Sequence, residues 1–464
     1  MPVDPTALTF QEWLVFGPLV LILVGSLFMS YVARPRIKFW QPTTMVCLTF
    51  LYYCVVGPWI ALKSGDTVVV FRDARPYYFL AWLATLIGMI GYFAGYQIGG
   101  FGVRNWFSKK SAGSRQRLIA ASIPFLGLGV IALFFMLSVH GLSLGRILNP
   151  TAGSARVGPG GDIGSFGNYL MHMTTFIGGY VFILIAMNRG LKMQIILPVL
   201  GILFVLLMYF AAIGFRGNLV KVLLGFGALI YILKGKRPSL PVMAAAGFSI
   251  VFLSGVILFS RSYFSGLSLD RLEEKSTTEI LEGGFNDSMI FGAMGLCIDA
   301  VPDRFDYYGL ESVWLTVTMP IPRRLWSGKP TSTYLDDIQK ILASERDQET
   351  VGQAIPNLGE LYMAYGWAGV FGGMFLFGIL CRKFWRWFIH NRNDVLAVVT
   401  YCTFFAWIFS YLHRGYLPQT FTDFCFSVVP LLILRKFVGH IPIKSVTQKK
   451  QIPEKKSLEP VVTQ

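Results

Sequence analysis

Charge is scarce in this chain. Only 14% of its 464 residues are Asp, Glu, Lys or Arg, against 54% hydrophobic, a balance that excludes a water-soluble globular protein. Cysteine is sparse too. The six are scattered, with Cys297 alone in the one long polar stretch, so neither a disulfide framework nor zinc-ligand spacing is present. No Walker A sequence, dinucleotide-binding glycine fingerprint or HExxH occurs, which removes support for nucleotide hydrolysis, hydride transfer and zinc peptidase chemistry. The apolar runs hold almost no ionisable residues. Ion-coupled transporters generally need them inside the membrane, so this scarcity counts against transport.

What is abundant is apolar runs long enough to cross about 30 Å of hydrocarbon. Eleven stand out, at 13–33, 40–62, 77–99, 118–139, 166–187, 194–213, 219–233, 239–260, 362–380, 395–412 and 416–434. Lys221 and Asp423 are single charges near the ends of the seventh and the eleventh. The first run lacks a preceding basic residue and a small-residue cleavage site, so it reads as a retained helix rather than a signal peptide.

Basic residues orient the spans. With Arg34, Arg36 and Lys38 in the cytoplasm, alternation puts connectors 104–117, 188–193, 234–238 and 381–393 and the tail from Arg435 on the same side. Those segments hold 24 of the 41 Lys and Arg, and the only acids with them are Asp394, Glu454 and Glu459. This positive-inside bias predicts an outside N-terminus and a cytoplasmic C-terminus. It also accounts for the net charge of +16, so nucleic acid is not an expected partner. The expected fold is an all-α polytopic membrane protein of about 11 transmembrane helices. One integral domain, 1–440, carries an extracytoplasmic loop, 261–361, between spans eight and nine. A basic, disordered cytoplasmic tail follows at 441–464. Helical spacing at 268–300 and 333–343 predicts short amphipathic helices lying on the outer membrane surface. A first outer segment, 140–168, is rich in Gly and Ser, with Gly-Pro-Gly-Gly-Asp-Ile-Gly at 158–164.

Arg146, Arg156, Arg216, Lys221, Arg261, Arg323, Arg324, Lys329 and Arg414 are among the cations on the outer side, where the same bias discourages them. Each alone is consistent with snorkelling to water or local pairing. Arg216 and Arg414, however, sit in hairpins too tight to be bulk loop, Phe215-Arg216-Gly217-Asn218 and His413-Arg414-Gly415. Together the cations suit a phosphate or pyrophosphate attached to a lipid, because guanidinium supplies bidentate donors and low dielectric strengthens the attraction. The prolines of Met-Pro-Ile-Pro-Arg-Arg-Leu-Trp-Ser-Gly-Lys-Pro, 319–330, exclude a regular helix there. That stretch reads either as a packing turn or as a rigid cradle presenting Arg323 and Lys329, with Trp326 as anchor or sugar platform. Glu360 opens the ninth span, where it complements the helix dipole or acts as a base towards a sugar hydroxyl. Asp287, Asp299, Asp423, His140 and His413 are weaker candidates for that role.

Pro-Arg-Arg-Leu-Trp-Ser-Gly-Lys-Pro at 322–330 resembles the PR-x-L-W-x-x-K-P signature of bacterial oligosaccharide repeat-unit polymerases of the O-antigen polymerase (Wzy) type. Gly214-Phe215-Arg216-Gly217 resembles their Arg-Gly hairpin, and Glu360-Leu361-Tyr362 with Gly366 resembles their E-x-Y-x-x-x-G helix opening. The Arg-x(10)-Gly motif of some members is absent from the first outer segment, since Val157 stands eleven positions after Arg146 and Gly158 one further.

The resemblance implies a GT-C-like, metal-independent glycosyltransferase in the bacterial cytoplasmic (inner) membrane, with no cofactor. It would act at the outer face on undecaprenyl-pyrophosphate-linked sugars. The implied partners are a lipid-linked oligosaccharide donor and acceptor, membrane lipid, and a chain-length regulator and flippase. Glu360 becomes the general base, and Arg216 and Arg323 act on the leaving pyrophosphate. Lys329, Arg414, Arg324, Arg261 and Arg156 bind pyrophosphate or substrate, and Trp326, Tyr334, Tyr362 and Tyr365 hold sugar rings. Two alternatives stay open: an O-antigen-ligase-like transferase to another acceptor, and a lipid-linked glycan flippase or other transporter.

Overall fold

The computed structural model describes residues 7–443 except 70–71, 101–111, 140–164, 188–192, 213–215, 263–265, 268–271, 273–274, 286–288, 320, 322–324, 331 and 343–354. The apolar runs become helices. α1 (Phe10–Val32) opens at a capping box in which the Thr9 hydroxyl accepts the Glu12 N–H and the Glu12 carboxylate accepts the Thr9 N–H. Arg75 pairs with the same carboxylate and ties the start of α1 to the turn before α4 (Tyr78–Ile98). Between them α2 (Pro42–Phe50), with proline in its first turn, runs through a π turn at Leu51–Val56 into α3 (Gly57–Ser64). The next helices are α5 (Arg115–Val139), α6 (Ser165–Met173), α7 (Thr175–Met187), α8 (Met193–Ala212), α9 (Arg216–Lys234) and α10 (Leu240–Ser260). The long loop contributes α11 (Thr277–Phe285), α12 (Met289–Ala300), α13 (Glu311–Thr318) and α14 (Thr333–Leu342). α15 (Asn357–His390), α16 (Val395–His413), α17 (Leu417–Ser427) and α18 (Val429–Val438) complete the bundle. Two hairpins pair Val68–Val69 with Arg72–Asp73 and Arg261–Ser262 with Gly266–Leu267.

Among the described residues, nine helices are long and apolar enough to cross a membrane. The stretch 194–213 forms α8, and 416–434 is two short helices meeting at Val428 rather than one rod. α16 lies at the centre, packed against α2, α7, α9, α15, α17 and α18. Beside it α4 and α15 touch backbone to backbone. Gly91, Gly95 and Gly99, one turn apart, face Phe371, Phe375 and Ile379, and a Cβ on Gly95 would lie 1.9 Å from the Phe375 carbonyl oxygen. Such small-residue stripes let helices approach where lipid supplies no hydrophobic drive. Gly95→Val is therefore expected to part the pair and cost about 1–3 kcal/mol or more, read as a lower melting temperature in detergent.

One loop helix departs from the expected surface position. α12 is buried along nearly its whole length against α3, α4, α14 and α15. It carries no charge before Asp299, so it is apolar all round and has no face for water. α11 packs onto α10, where an added Cβ on Gly255 would meet the Ile280 carbonyl and one on Gly284 the Val251 carbonyl. α14 keeps the amphipathic pattern, with Tyr334, Ile338, Ile341 and Leu342 buried.

Several basic connectors gather at one end of the bundle. The Trp40 indole donates to the Lys236 carbonyl (3.1 Å), Gly113 N–H to the His440 carbonyl (2.9 Å), and Arg435 Nε to Asp394 Oδ2 (2.6 Å).

Candidate functional site

At the opposite end from these connectors, Glu360 lies in the first segment of α15. That helix breaks at Tyr365 and Gly366, where Gly366 takes φ +63°, a conformation glycine adopts without a Cβ clash. An added Cβ there would also stand 3.0 Å from the Tyr307 hydroxyl. The break frees the Met363 and Ala364 carbonyls, and the loop supplies their donors: Tyr308 N–H and Gly309 N–H, each at 3.0 Å. The kink is thus built jointly by α15 and the long loop.

Glu360 is buried. Both carboxylate oxygens accept the Leu417 N–H, at 2.9 and 3.0 Å. Leu417 is the first residue of α17, so the carboxylate caps that helix. Glu360 forms no ion pair among the described residues. Tyr334, fully buried, donates its hydroxyl to the Gly415 carbonyl (2.6 Å) and stacks on Tyr416 at 6.3 Å and 5°. Burial, with the Glu360 carboxyl nearby, pushes the Tyr334 phenol well above its ordinary pKa, so it remains a neutral donor. Tyr308 likewise donates to Asp337 (2.9 Å), and burial and that carboxylate raise its pKa.

The separate sequence stretches converge here. The Gly217 backbone lies against the His413 imidazole, where an added Cβ would be 3.0 Å from Nε2. Gly415 abuts Pro356, its N–H bonded to the Ile355 carbonyl. Met319, which opens the proline-rich stretch, is held by the Tyr169 hydroxyl on its carbonyl and by the Thr422 hydroxyl 3.4 Å from its sulfur. α13 packs along α17. The Arg-Gly hairpin, the loop and the last turn thus share one end of the bundle.

The cations divide. Lys329 places Nζ on the Met319 and Ile321 carbonyls, at 2.9 and 3.0 Å, so this lysine ties the two carbonyls together. Arg414 is half-buried between His413 and Gly415. Arg216 opens α9 and Arg261 sits in a hairpin strand, while their side chains lie outside the described residues. Arg156, Arg323, Arg324, Asp287 and His140 lie wholly outside them. Asp299, the other carboxylate candidate on the loop, pairs with Arg304 at 3.2 Å. Among the aromatics, Trp326 is half-buried and Tyr365 exposed. Tyr362 is buried with its ring 4.8 Å from Trp367, and Tyr334 is enclosed, so both rings serve packing rather than an open platform.

Sequence reasoning missed a buried charge cluster. Lys221 Nζ lies 2.6 Å from Asp423 Oδ1, and His172 Nδ1 lies 3.7 Å from the same oxygen, all three side chains buried. The expectation of a bundle interior with almost no charge is corrected by this trio. In the sequence the three lie far apart, and only the lone charges inside two apolar runs signalled them.

The fold and this end of the bundle define a multi-pass helical membrane protein with a buried carboxylate where three non-consecutive segments meet. A family model of the O-antigen polysaccharide polymerase Wzy matches residues 9–441, and the chain belongs to that family. Its members are glycosyltransferase-type polymerases that act on lipid-linked oligosaccharide repeat units. No curated protein and no solved structure matches the chain.

Proposed function

We propose that this protein joins undecaprenyl-pyrophosphate-linked repeat units into a surface polysaccharide at the outer face of the bacterial inner membrane, without a metal. The N-terminus is outside, and a flippase and a chain-length regulator work beside it. The observation that carries this reading is the meeting of Glu360, the Arg216–Gly217 turn and the His413–Gly415 turn at one end of the bundle. A hydroxyl of the incoming unit attacks the anomeric carbon of the lipid-borne glycan. The carbon–oxygen bond to the pyrophosphate breaks, its electron pair leaves with the lipid pyrophosphate, and Glu360 takes the hydroxyl proton. Arg216, Arg323 and Arg414, with Arg324, Arg261 and Arg156, hold the departing charge, the kind of electrostatic stabilisation worth most in a water-poor site. Lys329 supports this set by holding the Met319 and Ile321 carbonyls, which precede Arg323 and Arg324 in the chain, and Trp326 flanks the sugar.

The test uses purified protein in bilayers with lipid-pyrophosphate-linked repeat units. A ladder of products is expected. One transfer to an added lipid A core acceptor would favour a ligase, and movement of the lipid without bond formation would overturn the reading. Arg216→Ala and Arg323→Ala are each expected to abolish the ladder with normal membrane expression, a loss of ~10²–10³-fold per donor. Normal ladders from both would remove the pyrophosphate cradle.

A further inference from the structure

Lys221, Asp423 and His172 are not used by the transfer chemistry above, yet they are costly to bury. An intramembrane ion pair is often no more stable than apolar residues of the same volume, and ionisable groups at such depth usually serve function. The trio's surroundings show what this one connects. Lys221 stands five residues into α9, which begins at Arg216. Asp423 stands on α17, whose first N–H is held by Glu360. His172 stands one turn from Tyr169, whose hydroxyl holds the Met319 carbonyl at the root of the arginine-bearing loop. Thr422, beside Asp423, touches the same Met319. His172 also lies over Phe426 of α17, with ring centroids 6.2 Å apart. Its Nε2 is fully buried and has no hydrogen-bond partner among the described residues, so Asp423 is the polar group that orients the ring.

We infer that Lys221, Asp423 and His172 form an ionic joint that sets the register of the three site-bearing segments, each acting as a positioning residue for glycan transfer. Apolar side chains would fill the same space but would let α6, α9 and α17 slide or rotate against one another. A 2.6 Å ion pair with a directed imidazole contact selects one arrangement. Small displacements suffice, since a misplacement of about 1 Å remote from the chemistry can lower a rate by ~10²-fold.

The inference rests on the polymerase reading, so wild-type protein in bilayers must first build a ladder; if it builds none, that reading falls and the joint with it. Lys221→Met and Asp423→Leu are then compared singly and together. Each single variant leaves one buried charge uncompensated and is expected to lose folded yield. The double variant is expected to regain the wild-type melting temperature. Its turnover at saturating lipid-linked substrate is expected to stay lower by ~10- to 100-fold, with the half-saturating concentration unchanged. Lys221→Arg, which keeps the pair, is expected to retain most of the wild-type turnover. A double variant at wild-type turnover overturns the joint. So does a loss confined to half-saturation, or a Lys221→Arg variant that folds but is as slow as the double.

Discussion

Replacing Glu360 with glutamine is expected to lower polymerisation by ~10²–10⁴-fold, the usual worth of a general base, while the protein still folds and inserts. The glutamine side chain has the same shape, and its amide oxygen can accept the Leu417 N–H that both carboxylate oxygens accept now. The cap on α17 therefore survives and only the proton acceptor is lost. Glu360→Ala removes both, so it is expected to lose activity and melting temperature together. The pair of variants separates the two roles that the geometry gives this residue. A glutamine variant with a normal ladder and an inactive, unstable alanine variant would reduce Glu360 to a helix cap. The readouts are ladder length over time in bilayers and thermal unfolding in detergent.

The second large effect is on stability. Asp394 is fully buried at the start of α16 and accepts from Arg435 Nε at 2.6 Å and from the Ile441 N–H at 3.2 Å. Removing one partner of a buried pair leaves the other charge uncompensated, so Asp394→Ala is expected to cost about 3–5 kcal/mol. That is a large share of the ~5–15 kcal/mol that separates folded from unfolded states in typical domains. Asp394→Asn keeps an acceptor for the Ile441 N–H and is expected to lose less. Thermal unfolding in detergent ranks the three proteins, and an alanine variant as stable as wild type would show that the Arg435–Asp394 contact contributes nothing net. This site lies at the end of the bundle remote from Glu360, so residual activity per folded molecule should remain near wild type.

Much of the architecture was readable because its cause is local. A run of about 20 apolar residues has few options but a helix in lipid, where every backbone group must be satisfied internally. The nine helices that meet the length and hydropathy criteria coincide with predicted runs. The eleventh run misled in form, because the helix breaks at Val428, where Pro430 stands in the first turn of α18. One loop helix misled in position. α12 looks like a membrane-surface helix when its spacing alone is read, and only the partners on all its sides reveal that it is interior.

The candidate site was legible as types and not as relations. Arg216, Arg414 and Glu360 stood out as charged residues at the ends of apolar runs, where charge is expensive. Lys329 stood out within the proline-rich motif but holds two backbone carbonyls. Tyr334 and Tyr362 stood out as aromatics and proved to be buried.

By itself, the sequence determined the membrane class, most of the spans, the asymmetry of charge and the family, since each follows from composition or from short contiguous patterns. The tertiary structure alone decided that Gly217 meets His413, that Glu360 caps α17, and that Lys221, Asp423 and His172 meet inside the bundle. The reason is physical: a helix fixes only neighbours three and four residues away. Contacts such as Lys221 to Asp423, 202 residues apart, are set by how whole helices pack.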